Sequence, residues 1–272
     1  MRWMPPVCWP RCCAADSIDA LPITLIRTLL TETSSVEAPS VDDLWDLRSL
    51  ARARRLCDWM FEQYSGEVRG SVAEVGAGIG TFSERILAAG AESLLAVEPD
   101  PAPAAVLEER LAGDPRVTIV RERLPFAPSL SPGAFDLVVC QNVLEHVEND
   151  AAALRTMGAA LRPDGRLAVL VPAHPRLFSE LDRAFGHYRR YTRASLTQIV
   201  EEAGLRMVDL RSFNLLGIPG WWAKKLRGSA QLGRGSLAAY EALVRFWRPI
   251  EDRMSLPWGL SLVGHAAPNQ PL

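Results

Sequence analysis

With 272 residues and 48% apolar content, the chain can bury one large core, or one core plus a small subdomain. A formal net charge of −2 provides no overall field for a polyanion, which argues against a nucleic-acid partner. Five cysteines (Cys8, Cys12, Cys13, Cys57, Cys140) are an odd, scattered set without C-x-x-C spacing. They read as free thiols of a reducing cytoplasm, with no metal clip and no disulfide framework.

Residues 1–40 mix Pro, Cys, Ser and Thr without a sustained period and read as a mostly disordered leader, with one short helix candidate over Leu21–Leu30. Pro5, Pro6 and Pro10 break its apolar run, so it makes a poor signal peptide, and no stretch reaches the ~18 apolar residues of a membrane span. From Val41 to Tyr64 the apolar residues fall mainly at steps of three and four, predicting one helix ahead of the first strand. Strands are then expected at Ser71–Val75, Ser93–Glu98, Val117–Arg121, Phe135–Cys140 and Gly165–Val171. Helices alternate with them at Thr81–Ala89, Pro101–Ala112 and Asp150–Leu161, the last one capped by Asp150. This alternation predicts a doubly wound parallel α/β sheet with helices on both faces.

Further on, a helix over Ala194–Ala203 has Thr192 as its cap and Gly204 just past its end. A strand near Met207–Phe213 follows, then two helical stretches, Trp221–Leu226 and Leu237–Met254, and a short closing strand, Leu260–Val263. Residues 214–258 read as a helical lid or substrate insertion before the last strand. Its Trp221, Trp222, Lys224, Lys225 and Arg227 combine aromatic surface with positive charge, a composition suited either to packing under the lid or to peripheral contact with an anionic membrane.

The chemistry concentrates at three strand ends. Val72 to Gly80 is a strand entering a glycine-rich turn, E-x-G-x-G-x-G, with Glu74 two residues before Gly76. Glycine lets the backbone turn tightly and approach a ligand. A dinucleotide fingerprint from Gly76 would need a third glycine where Thr81 stands, and an acid beside a pyrophosphate is unfavourable; the pattern suits a cationic ligand better. Glu98 ends the second strand, 22 residues after Gly76, where a carboxylate can accept hydrogen bonds from both hydroxyls of a ribose. The third site, Phe135 to Val147, is a buried strand running into polar Gln141, Asn142, Glu145 and His146 at the carboxyl edge, where open α/β folds bind ligands. Asp136 reads as a structural turn residue.

These residues together resemble the class I S-adenosylmethionine-dependent methyltransferases, over about Val41 to the C-terminus. The family's glycine motif matches Glu74, Gly76, Ala77, Gly78 and Gly80, its ribose acid Glu98, and its segment after the fourth strand Gln141 to His146. Leu161-Arg162-Pro163-Asp164-Gly165 is similar to the family's L-x-P-G-G turn, with Asp164 in place of the first glycine. The resemblance implies S-adenosylmethionine as cofactor and a Rossmann-like sheet of seven strands in order 3-2-1-4-5-7-6, the last antiparallel. A narrower likeness rests on Asn142–His146, Val171–Pro175, Leu181–Thr192, Trp221-Trp222 and Pro257–Ser261. These look like a bacterial subgroup linked with glycosyltransferases and with surface-glycan or natural-product pathways. It implies methyl transfer to a small-molecule, glycan or lipid-linked acceptor.

A hydroxyl acceptor must lose a proton, and imidazole has a suitable pKa. His146, His174 and His187 all lie at or after strand ends; His187, flanked by Tyr188 and Tyr191, ranks first as the base. Arg189, Arg190 and Arg193 would suit an anionic substrate group or a solvated helix start equally. Base methylation of nucleic acid is disfavoured because Gln141-Asn142-Val143-Leu144 lacks the Pro-Pro-aromatic platform that stacks a flipped base. A nicotinamide oxidoreductase is disfavoured by the glycine spacing. A non-catalytic methyltransferase-like module that binds a partner is the remaining alternative, with Glu74, Gly76, Gly78 and Glu98 arguing for retained cofactor binding. Oligomeric state is not legible.

Overall fold

The computed structural model describes residues 41–227, 234–254 and 256–269. The leader expected over residues 1–40 lies outside the described residues. Seven strands form one sheet: β1 (Ser71–Val75), β2 (Ser93–Val97), β3 (Val117–Val120), β4 (Phe135–Gln141), β5 (Leu161–Pro172), β6 (Leu205–Phe213) and β7 (Ser261–Pro268). Their order is β3-β2-β1-β4-β5-β7-β6, the order the sequence implied. The first five pair in parallel, and β7 runs antiparallel between β5 and β6.

Successive strand residues point to opposite faces, and the core divides accordingly. Ala73, Val75, Val138 and Cys140 face α5 (Asp150–Ala160) and α7 (Arg193–Glu202), whose Leu154, Met157, Leu196 and Val200 are buried. Val72, Leu94, Leu137 and Val139 face α3 (Ser83–Ala88) and α4 (Pro101–Arg110) through Ile86, Leu87 and Leu107. With both faces covered, the central strands read as unbroken apolar runs rather than alternating ones.

Four elements differ from the sequence expectation. The single helix over Val41–Tyr64 is two helices, α1 (Val41–Arg52) and α2 (Arg54–Glu62), separated at Ala53, whose ψ of 65 leaves the helical range. The break frees the first amides of α2, and Glu241 of α9 (Arg234–Glu251) accepts from Arg55 N at 3.1 Å and Leu56 N at 2.8 Å. Strand β5 begins at Leu161: Phe135 pairs with Leu161 and Leu137 with Arg166, so the Arg162–Gly165 turn is an excursion within the strand. The cap of α5 is Asn149, whose Oδ1 accepts from Ala152 N at 3.0 Å. Asp150 instead accepts from the Tyr191 hydroxyl at 3.0 Å and pairs with Arg189 at 2.6 Å. Finally, β7 extends to Pro268, held by β5 as far as Ala266 and by β6 to its end.

The 214–258 segment also divides. Helix α9 packs on α2 through buried Val244, with Tyr240 and Trp247 beside Leu56, Trp59 and Met60. Helix α8 (Gly217–Arg227) instead borders the Pro175–Leu177 turn after β5, where Lys225 donates to the Arg176 carbonyl.

Candidate active site at the carboxyl edge of the sheet

The loop between β1 and α3 is tied to the neighbouring strand, since Gly76 N and Ala77 N both donate to Val97 O, at 2.8 and 3.1 Å. Gly76 has φ +75, and a Cβ there would stand 2.2 Å from Val143 Cγ2. The glycine is required by its backbone angle, the tight turn the sequence suggested, and by the residue after β4, a contact the sequence did not show. Gly78, at φ +57, aims its amide at Glu98: N to Oε2 is 2.7 Å. The other Glu98 oxygen, Oε1, accepts from Asp100 N at 3.0 Å. Each carboxylate oxygen thus keeps acceptor capacity after one backbone bond, as a ribose diol requires. Burial raises the Glu98 pKa, and these two bonds oppose the rise. A Cβ on Gly80 would meet Leu107 of α4 at 2.9 Å, so this glycine serves helix packing.

Glu74 lies beneath the loop, where its Oε2 accepts from Ser83 Oγ at 2.5 Å. Burial pushes its carboxyl up to about 8; the Ser83 bond lowers it and nearby Glu98 raises it further. At neutral pH Glu74 is therefore mostly protonated. The sequence argument for a standing negative charge before Gly76 needs that correction: the charge develops when a cation stabilises it. At the end of β4, Gln141 Oε1 is buried without a hydrogen-bond partner, and Asn142 adopts φ +52 with its N–H on Leu170 O at 2.8 Å. A loop with left-handed glycines, a buried acid able to take two hydroxyls and an orphaned amide oxygen fit a nucleoside-bearing cofactor.

The three candidate histidines do not converge. His146, in the single turn Leu144–His146, meets His187 edge-on, with ring centroids 4.6 Å apart and planes at 89°. His174, with φ +60, stacks on Trp258 at 5.6 Å, its Nε2 buried and unpartnered. Tyr188 N donates to Glu145 O at 2.8 Å and pins the His187 segment to the His146 turn.

Behind the pair lies Asp182 on α6 (Glu180–Ala184), fully buried. It accepts from Ser179 N at 2.8 Å, Ser179 Oγ at 2.9 Å and Arg190 Nε at 2.7 Å, and its Oδ1 is 3.1 Å from His187 Nδ1. Burial pushes Asp182 up, but the bonds from His187, Arg190 and Ser179 outweigh it and hold the pKa at about 2. An ionised carboxylate only accepts, so His187 Nδ1 is the donor in this contact. His146 keeps an exposed face, but desolvation by the chain around its ring, then the neighbouring His187, lowers its pKa to about 4.

Sequence reading places Glu145 at the third site and Asp182 in the segment after β5 but assigns neither a role. The spacing Ser179-x-x-Asp182 is a capping-box signature that places an acid at this point, but nothing local announces that it faces His187. Of the three arginines only Arg190 is buried, paired with Asp182; half-buried Arg189 pairs with Asp150, and exposed Arg193 donates to Leu210 O at 2.5 Å. Arg190 also lies over the Trp221 ring at 4.4 Å. Asp136 is structural, as expected, accepting from Ser71 N at 2.8 Å and from Arg162.

A family model described as a methyltransferase domain matches residues 48–210. The ubiquinone biosynthesis O-methyltransferase of Xanthomonas euvesicatoria pv. vesicatoria is 30% identical over 155 residues, which are 51% of this chain and 64% of that protein. The chain thus spans less than two thirds of that relative's length. The protein of the same name from Vibrio campbellii is 25% identical over 192 residues, 65% of this chain and 77% of its own. Among solved structures, an S-adenosylmethionine-dependent methyltransferase from Mesorhizobium loti has a TM-score of 0.54 at 18% identity, covering 74% of this chain and 92% of that one, a likeness of fold.

Proposed function

The chain belongs to the methyltransferase-domain family and uses S-adenosylmethionine, and on that premise we propose that it methylates a hydroxyl of a small organic acceptor, with His187 receiving the acceptor's proton. The observation that carries this reading is the Asp182–His187 pair, buried at the carboxyl edge beside the segment that follows β4. The names of both curated relatives denote O-methylation, which favours oxygen over nitrogen or carbon as the acceptor atom.

Glu98 would hold the ribose hydroxyls, the Gly76–Gly80 loop would cradle the cofactor, and Gln141 and Asn142 would border it on the β4 side. Bound there, S-adenosylmethionine supplies a methyl group on a cationic sulfur, the S–CH3 bond breaking as the O–CH3 bond forms. His187 Nε2 takes the hydroxyl proton, and ionised Asp182 stabilises the resulting imidazolium through Nδ1 without accepting that proton itself. His146, neutral and edge-on, fixes the plane of the His187 ring. Helix α8, with Trp221 under Arg190, and the His174–Trp258 stack would bound the acceptor space. A glycan or lipid-linked acceptor falls within the proposed class, and half-exposed Trp222 on α8 is a side chain that a lipid-linked substrate can meet.

The test supplies S-adenosylmethionine with phenolic, sugar and lipid-linked hydroxyl acceptors and measures S-adenosylhomocysteine release. His187→Ala is expected to lower kcat by about 10²–10⁴ while leaving cofactor affinity unchanged. An unchanged kcat removes His187 as the base.

A further inference from the structure

We propose that the outer face of α9, with the turn that follows it, docks on the surface of an anionic lipid bilayer. Helix α9 needs one apolar stripe to pack, and Tyr240, Val244 and Trp247, at steps of four and three, supply it against α2. A second stripe stands about 100° away around the helix. Its members Leu243, Phe246 and Ile250 are 53%, 70% and 47% exposed, and Met254 in the following turn is 54% exposed. Large apolar side chains in a row on one surface helix mark an interaction face.

Positive charge lies beside this stripe. Arg55, Arg245, Arg248 and Arg253, with Asp252, line a groove of about 610 Å³ between α2 and α9. Arg248 pairs with Glu62 and Asp252, and Asp252 also accepts from the Trp59 indole at 2.8 Å. Among the described residues no acid pairs with Arg55, Arg245 or Arg253. The Arg245 guanidinium lies 5.7 Å from the Phe246 ring centroid, so cation and apolar surface adjoin. The chain as a whole carries a net charge of −2, which makes the basic face a local feature.

An anionic bilayer offers both partners at once, headgroup phosphates for the arginines and acyl chains just beneath for the stripe. A second copy of the chain suits the face less: a two-fold contact sets the patch against itself, arginine facing arginine. A free phosphate leaves the stripe bare. Among the described residues no helix is long and apolar enough to cross a membrane, and α9 would lie in the interface plane. Met254 is four residues before Trp258, at most about 14 Å of chain, and Trp258 stacks on His174 at the acceptor edge. Delivery of a lipid-borne hydroxyl to that edge rests on the acceptor reading; the docking does not.

The experiment sediments the full chain with vesicles of phosphatidylglycerol and phosphatidylcholine in equal parts, and with vesicles of phosphatidylcholine alone. Binding to the first and not to the second is expected, weakened by salt. Each arginine at the surface contributes about fivefold to partitioning, so Arg245→Ala/Arg253→Ala should lower it at least about tenfold. Phe246→Ser/Ile250→Ser should do the same by at least about tenfold. S-adenosylmethionine affinity, unchanged in both double variants, reports an intact fold. Absence of binding to anionic vesicles, equal binding to both vesicles, or full binding by either double variant overturns the docking. Release by inorganic phosphate, but not by chloride at the same ionic strength, overturns it in favour of a free-anion site. A dimer seen by sedimentation velocity and dissolved by Phe246→Ser/Ile250→Ser overturns it in favour of a second copy. Vesicle binding without methyl transfer to any acceptor supports the docking and counts against the acceptor reading.

Discussion

On the side of the sheet edge proposed to hold the methyl donor, the residues come from one short run of chain. Glu74, Gly76, Gly78 and Glu98 sit on two neighbouring strands and the loop between them, and backbone bonds from Gly76, Ala77 and Gly78 lock that loop to the next strand. On the acceptor side, Glu145 and His146 follow β4, whereas Asp182, His187 and Arg190 belong to a segment about forty residues later. That segment is held in place by Tyr188 N on Glu145 O, the Tyr191 hydroxyl on Asp150 and the Asp182 ion pair. The donor edge is therefore preorganised by the sheet, and the acceptor edge by a buried polar network. A sheet-borne site tolerates loss of one side chain, but a buried charge network fails when one member leaves uncompensated charge behind.

The largest expected effect follows from that contrast. Asp182→Ala leaves Arg190 buried without its partner and should cost about 3–5 kcal/mol of stability, read by denaturant unfolding; a loss below ~1 kcal/mol would show that the network does not hold the acceptor segment. Glu98→Ala probes the donor side. Hydrogen bonds to charged groups contribute ~1.5–3 kcal/mol each, so the Kd for S-adenosylmethionine should rise at least about tenfold by calorimetry while the fold survives. An unchanged Kd would refute the ribose role.

Gly76→Ala sets a side chain against Val143 at φ +75. Left-handed backbone costs ~1–2 kcal/mol and overpacking a further ~1–3 kcal/mol. Adding Val143→Ala should recover the steric part but not the backbone part, as thermal unfolding of both variants can show. If the second change recovers nothing, the glycine answers to backbone angle alone.

The effect spread over the widest range of conditions is a pH slope. Glu74 is packed against Ser83, with Glu98 and Tyr64 nearby, and its folded pKa of about 8 lies above the ordinary 4.5. Between those values the folded state holds a proton that the unfolded state has released, so this group's contribution to stability falls as pH rises from about 4.5 to 8. Glu74→Gln should flatten that part of the profile, and an unaltered slope would place the effect on another group. Because a cation favours ionised Glu74, S-adenosylmethionine affinity should also rise with pH up to about 8 in the parent protein.

Much of this was legible before any coordinates. The β1 strand and its glycine turn depend on adjacent residues, and the strand order came with the motif resemblance. What local pattern could not reveal is where chain segments meet. The helical period ran through Ala53, and only the docking of α9 on α2 explains how a helix can restart there with its first amides satisfied. Asp150 has the chemistry of a cap, but Asn149 takes that place because Asp150 is drawn to Tyr191 and Arg189. Of three candidate histidines at strand ends the sequence ranks His187 first, but it does not show that His174 stacks on Trp258, brought in by the chain leading to β7, while exposed His146 meets half-buried His187 edge-on.

By itself the sequence determined the glycine turn and the strand-end acid of the proposed donor edge, because a tight turn between consecutive elements and a residue at the end of the next strand are local consequences of backbone geometry. Tertiary structure alone decided the acceptor edge: which histidine meets which carboxylate, and whether a buried acid keeps its charge. Those depend on desolvation and on contacts between residues far apart in the chain, and no spacing in the sequence encodes either.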